Sequence, residues 1–179
     1  MGEIGEYWRD AKAHKRQKPA NPPRRRCWDW MIVGGDCHYA KNRSSFTTYR
    51  RIQGTAQGAR VIGIGTVELQ VQRSPKESGT HTLVLEDVLH IPEAICNGFN
   101  SRLAGGAESW IRGSVHGLDA SSGQPLWYGT EFCGSTRLVL AGNPQGESVL
   151  EEMEREGSAF MLSVYLNEEE WANLFRPAC

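Results

Sequence analysis

The sequence predicts a mainly β fold: a small closed or partly open β-barrel with two short helices. Three observations predict it. Apolar and polar residues alternate over Val67-Glu-Leu-Gln-Val71, the period that turns one strand face to a core and the other to water. Short apolar runs recur between glycine-containing turns, a pattern of many short strands rather than of strands alternating with long amphipathic helices. Two short helices are expected where Ser148-Val-Leu-Glu151 and Asn167-Glu-Glu-Glu170 each carry a capping-box pattern, the second leading into Trp171, Leu174 and Phe175.

The elements follow in order. Residues 1–26 read as a basic, flexible arm. A short helix over Glu6–Lys18 is stopped by Pro19, Pro22 and Pro23, and Arg24-Arg25-Arg26 follows. Residues 27–179 form the β domain, ending in the short C-terminal helix. Trp28–Val33 is its first strand, stopped by Gly34-Gly35. Arg60–Gln72 is the strongest strand, and Gly63 and Gly65 allow it the sharp bend of a small barrel. Ser74–Gly79 turns the chain into a return strand over Thr82–Ile91, before Pro92. Ser114–Leu118, the turn Asp119–Gln124 and Pro125–Tyr128 form a hairpin. Thr136–Leu140 and Ala159–Leu166 supply two further strands.

A chain of 179 residues holds one domain with a sizeable core. With 39% hydrophobic and 23% charged residues, and a net charge of −1, its composition is that of an ordinary water-soluble protein. The near-neutral total hides an asymmetry: Lys12 to Arg26 is basic throughout, whereas Glu147–Glu156 and Glu168–Glu170 are acidic. No run approaches the ~20 apolar residues that span a bilayer, and the start lacks a basic segment followed by an apolar one, so neither membrane nor secretory signal is expected. The five cysteines are odd in number, with no Cys-x-x-Cys pair, so reduced thiols in an intracellular setting, cytoplasmic or nuclear, are expected rather than zinc or disulfides. Gly63-x-Gly65 lacks the third glycine and the following helix of a nucleotide loop, and no cofactor is expected.

A series of motifs runs through the chain in a fixed order. Trp30-Met-Ile-Val33, His38, Phe46 and Tyr49 come first, then Val61-Ile-Gly-Ile-Gly-Thr-Val-Glu-Leu69 and Leu83-Val-Leu-Glu-Asp-Val-Leu-His-Ile-Pro92. Asn97, the turn at Asp119-Ala-Ser-Ser-Gly-Gln124 and Gly157-Ser-Ala-Phe-Met-Leu162 complete the series. In this order they resemble the protease region of Copia-type retrotransposon polyproteins. The match spans roughly residues 28–165 and is most similar to free-standing fungal proteins of this type. It implies a retropepsin-like barrel and a homodimer, in which each subunit brings one aspartate and two carboxylates about 3 Å apart share a proton. This chain departs at the decisive position. Val33, or Ile32 in the alternative register, stands where the aspartate belongs, and an apolar side chain activates no water. Asp36 lies three residues further on, several ångströms away at ~3.3 Å per extended residue. The expectation is therefore a domesticated pseudoprotease, a non-catalytic binding or assembly module; a residual protease would need two Asp36 carboxylates paired across a dimer.

Other candidates compete with plainer readings. Asp36, His38 and Asp119 are possible acid–base groups of a barrel recruited as a small-molecule enzyme, and Asp36 and His38 can share a strand face; the plain reading is a turn aspartate and a structural histidine. Cys37 would need His90 or His116 as a distant partner to act as a nucleophile. Trp30, Trp110, Trp127 and Tyr128 either line an aromatic ligand pocket or fill the core. Arg24, Arg25 and Arg26 are the candidate weak nucleic-acid contacts, and Arg43, Arg50 and Arg51 either grip phosphate or are solvated.

Overall fold

The computed structural model describes residues 25–111 and 113–175. The expected helix over 6–18 and Arg24 lie outside the described residues. Ten strands form one sheet: β1 Trp30–Val33, β2 Tyr39–Ala40, β3 Arg50–Ala56, β4 Ala59–Ser74, β5 Glu77–His90, β6 Asn97–Asn100, β7 Ala107–Ile111, β8 Ser114–Leu118, β9 Pro125–Phe132 and β10 Ser135–Leu138. Their order across the sheet is β3-β4-β5-β2-β6-β1-β10-β9-β8-β7. Two helices follow, α1 Val149–Glu156 and α2 Glu168–Phe175.

The sheet is open: of the expected closed or partly open barrel, the closed form is not what the chain builds. Its terminal strands β3 and β7 do not pair with each other. It curls instead: Gln72 N–H donates to Val139 O at 3.0 Å and Ala141 N–H to Gln70 O at 2.8 Å, around the single bridge Val71–Leu140. One bridge does not extend into a ladder, because the chain leaves β10 at Leu138 and turns away at Gly142-Asn143 toward α1.

Curling gives the sheet a core on each face. One holds Met31, Val33, Tyr39, Val61, Ile64, Leu89, Leu150 and Leu174; the other holds Trp30, Phe46, Val67, Leu69, Leu83, Leu85, Phe99 and Trp127. Strand β1 sends alternate side chains into both, which is why Trp30–Val33 is apolar throughout rather than alternating. The long β4–β5 hairpin serves both cores by way of a bulge. Gly65 pairs with Val88 but Val67 with Leu85, so β5 carries an extra residue, and Asp87 takes up the turn at φ 51°. Gly63 and Gly65 have a further reason beyond bending: a Cβ at Gly63 would enter the Tyr49 ring and one at Gly65 the Thr48 carbonyl. They let residues 48–49 cross β4 in contact.

Both expected helices form, and their caps are visible. Asn167 Oδ1 accepts from Glu170 N–H at 2.9 Å while Glu170 Oε2 accepts from Asn167 N–H at 3.2 Å, and Ser148 Oγ accepts from Glu151 N–H at 3.4 Å. Leu174 of α2, 1% exposed, packs against Gly54 of β3. The strand expected over Ala159–Leu166 does not form as such; the segment is extended but joins the sheet only at the Gly35–Val164 bridge, its backbone groups being used instead to hold the turn after β1. Among the described residues no helix is long and apolar enough to cross a membrane.

Candidate functional site

The turn Gly34–Cys37 joins β1 to β2, and β6 lies between those two strands, parallel to β1 and antiparallel to β2. The turn therefore emerges beside the end of β6, and Asn100 there serves both its limbs. Asn100 Nδ2 donates to Gly35 O at 2.9 Å, and Asn100 N–H donates to His38 Nδ1 at 3.1 Å. From the other side the 163–166 segment closes over it. Gly34 N–H donates to Ser163 Oγ at 3.0 Å, and Asp36 N–H to Val164 O at 2.9 Å. The Asp36 carboxylate accepts from Leu166 N–H at 2.8 Å. Gly35 has φ 91°, and a Cβ there would strike the Val164 backbone, so only glycine fits this approach.

The chemistry of the turn follows from these bonds. Val33 is 7% exposed and packed in a core. Asp36 holds two strands of backbone together. His38 is buried and stacked on Phe99 at 5.9 Å; burial pulls its imidazole down to about 4, so it is neutral at pH 7 with Nδ1 an acceptor. The adjacent Cys37 thiol is pushed up to about 12, by burial first and by Asp36 second, which leaves it protonated and unreactive. Asp36 and His38 thus share the turn without a hydrogen bond between them among the described residues.

Asp119 lies elsewhere, on the β8–β9 turn. Its Oδ1 accepts from the backbone N–H and hydroxyl of both Ser121 and Ser122, at 2.6–3.0 Å. These bonds, the Ser121 hydroxyl foremost, hold its carboxyl far below the usual range. It is the organiser of a turn.

The four aromatic candidates do not converge. Trp30 and Trp127 are 0% and 1% exposed in the core, Trp127 edge-on to Phe99 at 5.1 Å. Tyr128 is buried beside them in sequence but turns its hydroxyl to Gln72 Oε1 at 3.0 Å. Trp110, 68% exposed, stands on the edge strand β7. Arg25 is exposed, and the Arg26 guanidinium lies 3.8 Å over the Trp28 ring.

Beyond a small cleft of about 380 Å³ in which Arg50 stands with Glu86 and Asp87, the described residues form two larger clefts, and sequence reasoning located neither. A cleft of about 540 Å³ is lined by Trp28, Asp29, Arg137, Glu147 and Glu151. Asp29 accepts from Arg137 at 3.0 Å across 108 residues, a separation with no sequence signal. The second cleft, about 1010 Å³, is lined by Arg43, Tyr49, Arg51, Gln53, Arg60 and His90. The Arg43 guanidinium covers the Tyr49 ring at 3.9 Å. Tyr49 hydroxyl meets His90 Nδ1 at 2.8 Å and lies 3.2 Å from Ile62 O, and His90 Nε2 is 3.2 Å from Lys41 O. Arg43 and Arg51 were identifiable in the sequence as basic residues; Arg60 and His90 join them only because β3, β4 and β5 are neighbours. Among the described residues no group of three or more His, Cys, Asp or Glu is placed to hold a metal ion.

Comparison with protein-family models, with curated proteins and with solved structures finds no match to this chain.

Proposed function

We propose that the chain is a non-catalytic binding or assembly module, built on a retropepsin-like framework descended from the protease region of a Copia-type element. The observation that carries the reading is the state of the turn after β1. The position that the resemblance assigns to the catalytic aspartate is the buried Val33 or, in the alternative register, the half-buried Ile32, and the carboxylate that follows in the chain, Asp36, is committed to Leu166 N–H at 2.8 Å. A carboxylate that must share a proton and activate water needs a free face; here residues 163–166 cover that turn. The interleaving of β6 between β1 and β2 supports the framework, because it fixes the turn from both limbs without any catalytic group.

The test is a proteolysis assay on an unfolded protein substrate between pH 3 and pH 7, read by mass spectrometry, together with light scattering of the same sample. No cleavage is expected. Cleavage that disappears in Asp36→Asn would overturn the reading. A solution mass twice that of the 20.0 kDa chain supports assembly with a second copy; a monomer restricts the module to binding other partners.

A further inference from the structure

We propose that the cleft lined by Arg43, Arg51 and Arg60 binds single-stranded nucleic acid through its phosphate backbone. The inference stands on the cleft alone and does not depend on the ancestry of the fold. Three guanidinium groups from three segments line one concavity of about 1010 Å³, and no acidic residue lines it with them. In the other cleft Asp29, Glu147 and Glu151 accompany a single arginine, and that balance repels an anion. Guanidinium forks match phosphate oxygens in pairs, which makes arginine the apt side chain for such a site.

The arrangement of the arginines narrows the ligand. Arg51 of β3 stands opposite Gly63 of β4, and Arg60 stands three residues before Gly63, so their backbones lie about 10 Å apart along the strand at ~3.3 Å per residue. Both side chains line the one cleft, and attachment points this far apart suit a ligand that carries more than one phosphate. Arg43 arrives from the turn at Arg43–Ser45 and is oriented by the Tyr49 ring beneath it. Tyr49, covered by Arg43, backed by Gly63 and held by His90, fixes that arginine, while Ile52 and Ile62 give the cleft an apolar wall against which a base can lie. Glu93 is the opposing charge paired with the site, held to Arg60 at 3.5 Å with both side chains more than half exposed; Glu86 and Asp87 line the adjoining cleft that shares Tyr49. An exposed pair of this kind holds its partner weakly, so phosphate displaces it readily. Among the described residues Arg51 has no ion-pair partner.

The experiment is fluorescence anisotropy of the full chain with labelled single-stranded RNA and DNA of about 12 nucleotides, across a salt series. Binding is expected in the range of about 10⁻⁴–10⁻⁶ M, and the Arg51→Gln/Arg60→Gln double variant should weaken it at least about tenfold and reduce the salt slope by about 1.4. Both arginines are exposed, so an unchanged circular dichroism spectrum and melting temperature should accompany the loss. Glu93→Gln, which frees Arg60, should tighten binding, and Arg51→Lys/Arg60→Lys, which keeps the charge but not the fork, should restore the salt slope and only part of the affinity. Three results would overturn the proposal. The first is binding unaffected by the double variant but abolished by Arg24→Gln/Arg25→Gln/Arg26→Gln, which places the strand on the N-terminal arm. The second is tripolyphosphate binding more tightly than the oligonucleotide, which assigns the cleft to a small phosphoanion. The third is equal affinity for duplex DNA, or no binding at low salt.

Discussion

His38 is predicted to make the protein lose stability on mild acidification. The imidazole is 4% exposed, its Nδ1 accepts from Asn100 N–H at 3.1 Å, and burial pulls its pKa from 6.5 down to about 4. The folded protein therefore keeps it neutral where the unfolded chain has already bound a proton. Between pH 6.5 and pH 4 the unfolded state carries more protons at this residue, so stability rises with pH in that window and falls as pH drops through it. The stabilisation is fully present above pH 6.5. The whole difference corresponds to about 3 kcal/mol, of which about 2 kcal/mol is lost between pH 7 and pH 5. The assay is urea unfolding at pH 7, 6 and 5 for the wild type and His38→Asn, whose amide oxygen keeps an acceptor near the Nδ1 position. Burial also lowers His90 and His81, so the wild type should lose more than this increment alone, and the difference between the two proteins isolates His38. The variant should be less stable at pH 7, having lost the ring on Phe99, yet flatter with pH. Parallel losses in the two proteins, or an imidazole resonance of His38 titrating near 6.5, would refute the reasoning.

Three further outcomes follow from the same contacts. Asp36→Ala should cost about 1–3 kcal/mol in urea unfolding, because it strands the Leu166 N–H, whereas Asp36→Asn, which keeps an acceptor oxygen, should cost markedly less. Asn97 is 0% exposed and donates to Cys27 O and Asp29 O while accepting from Lys41 N–H; Asn97→Ala should cost about 3 kcal/mol or more by the same measurement. Leu174→Ala should lower stability by about 2–5 kcal/mol, since Leu174 is 1% exposed and closes α2 onto β3, and hydrogen exchange should show β3 amides losing protection first.

What the sequence made legible is where side-chain pattern and local chemistry decide the outcome by themselves. Val67, Leu69 and Val71 alternate and are buried, the Asn167–Glu170 capping box closes in both directions while Ser148 caps its helix by one bond, and the Ser114–Tyr128 hairpin forms around the Asp119 turn. Where the chain obtains its partners from far away, the pattern was silent or misleading. β6, Asn97-Gly-Phe-Asn100, is buried at every position yet half of it is asparagine, because Asn97 bonds the backbone of Cys27, Asp29 and Lys41 and Asn100 that of Gly35, rather than facing water. β3 reads as polar because four of its seven residues are exposed at the sheet edge. Ala159–Leu166 has the apolar content of a strand, but its bonds go to a turn about 130 residues earlier rather than to a neighbouring ladder. Of the site candidates, the basic character of Arg43 and Arg51 was readable locally; their convergence with Arg60 and His90 depends on a strand register that the sequence does not print.

Under the descent proposed above, the same logic accounts for a turn that loses a catalytic residue and is still tightly held. A buried turn has to satisfy its backbone polar groups whatever its side chains do. Here Gly34 N–H, Gly35 O and Asp36 N–H are met by Ser163, Asn100 and Val164, and none of those bonds involves residue 33. Replacing a carboxylate at that position by valine therefore removes a buried charge and adds to the core without orphaning any neighbour, a change that stabilises rather than strains. Selection for binding can then act on surfaces away from the turn, and the arginine cleft lies on such a surface: it is formed by β3, β4 and the Arg43–Tyr49 segment, none of which contributes to the hydrogen bonds that hold the turn.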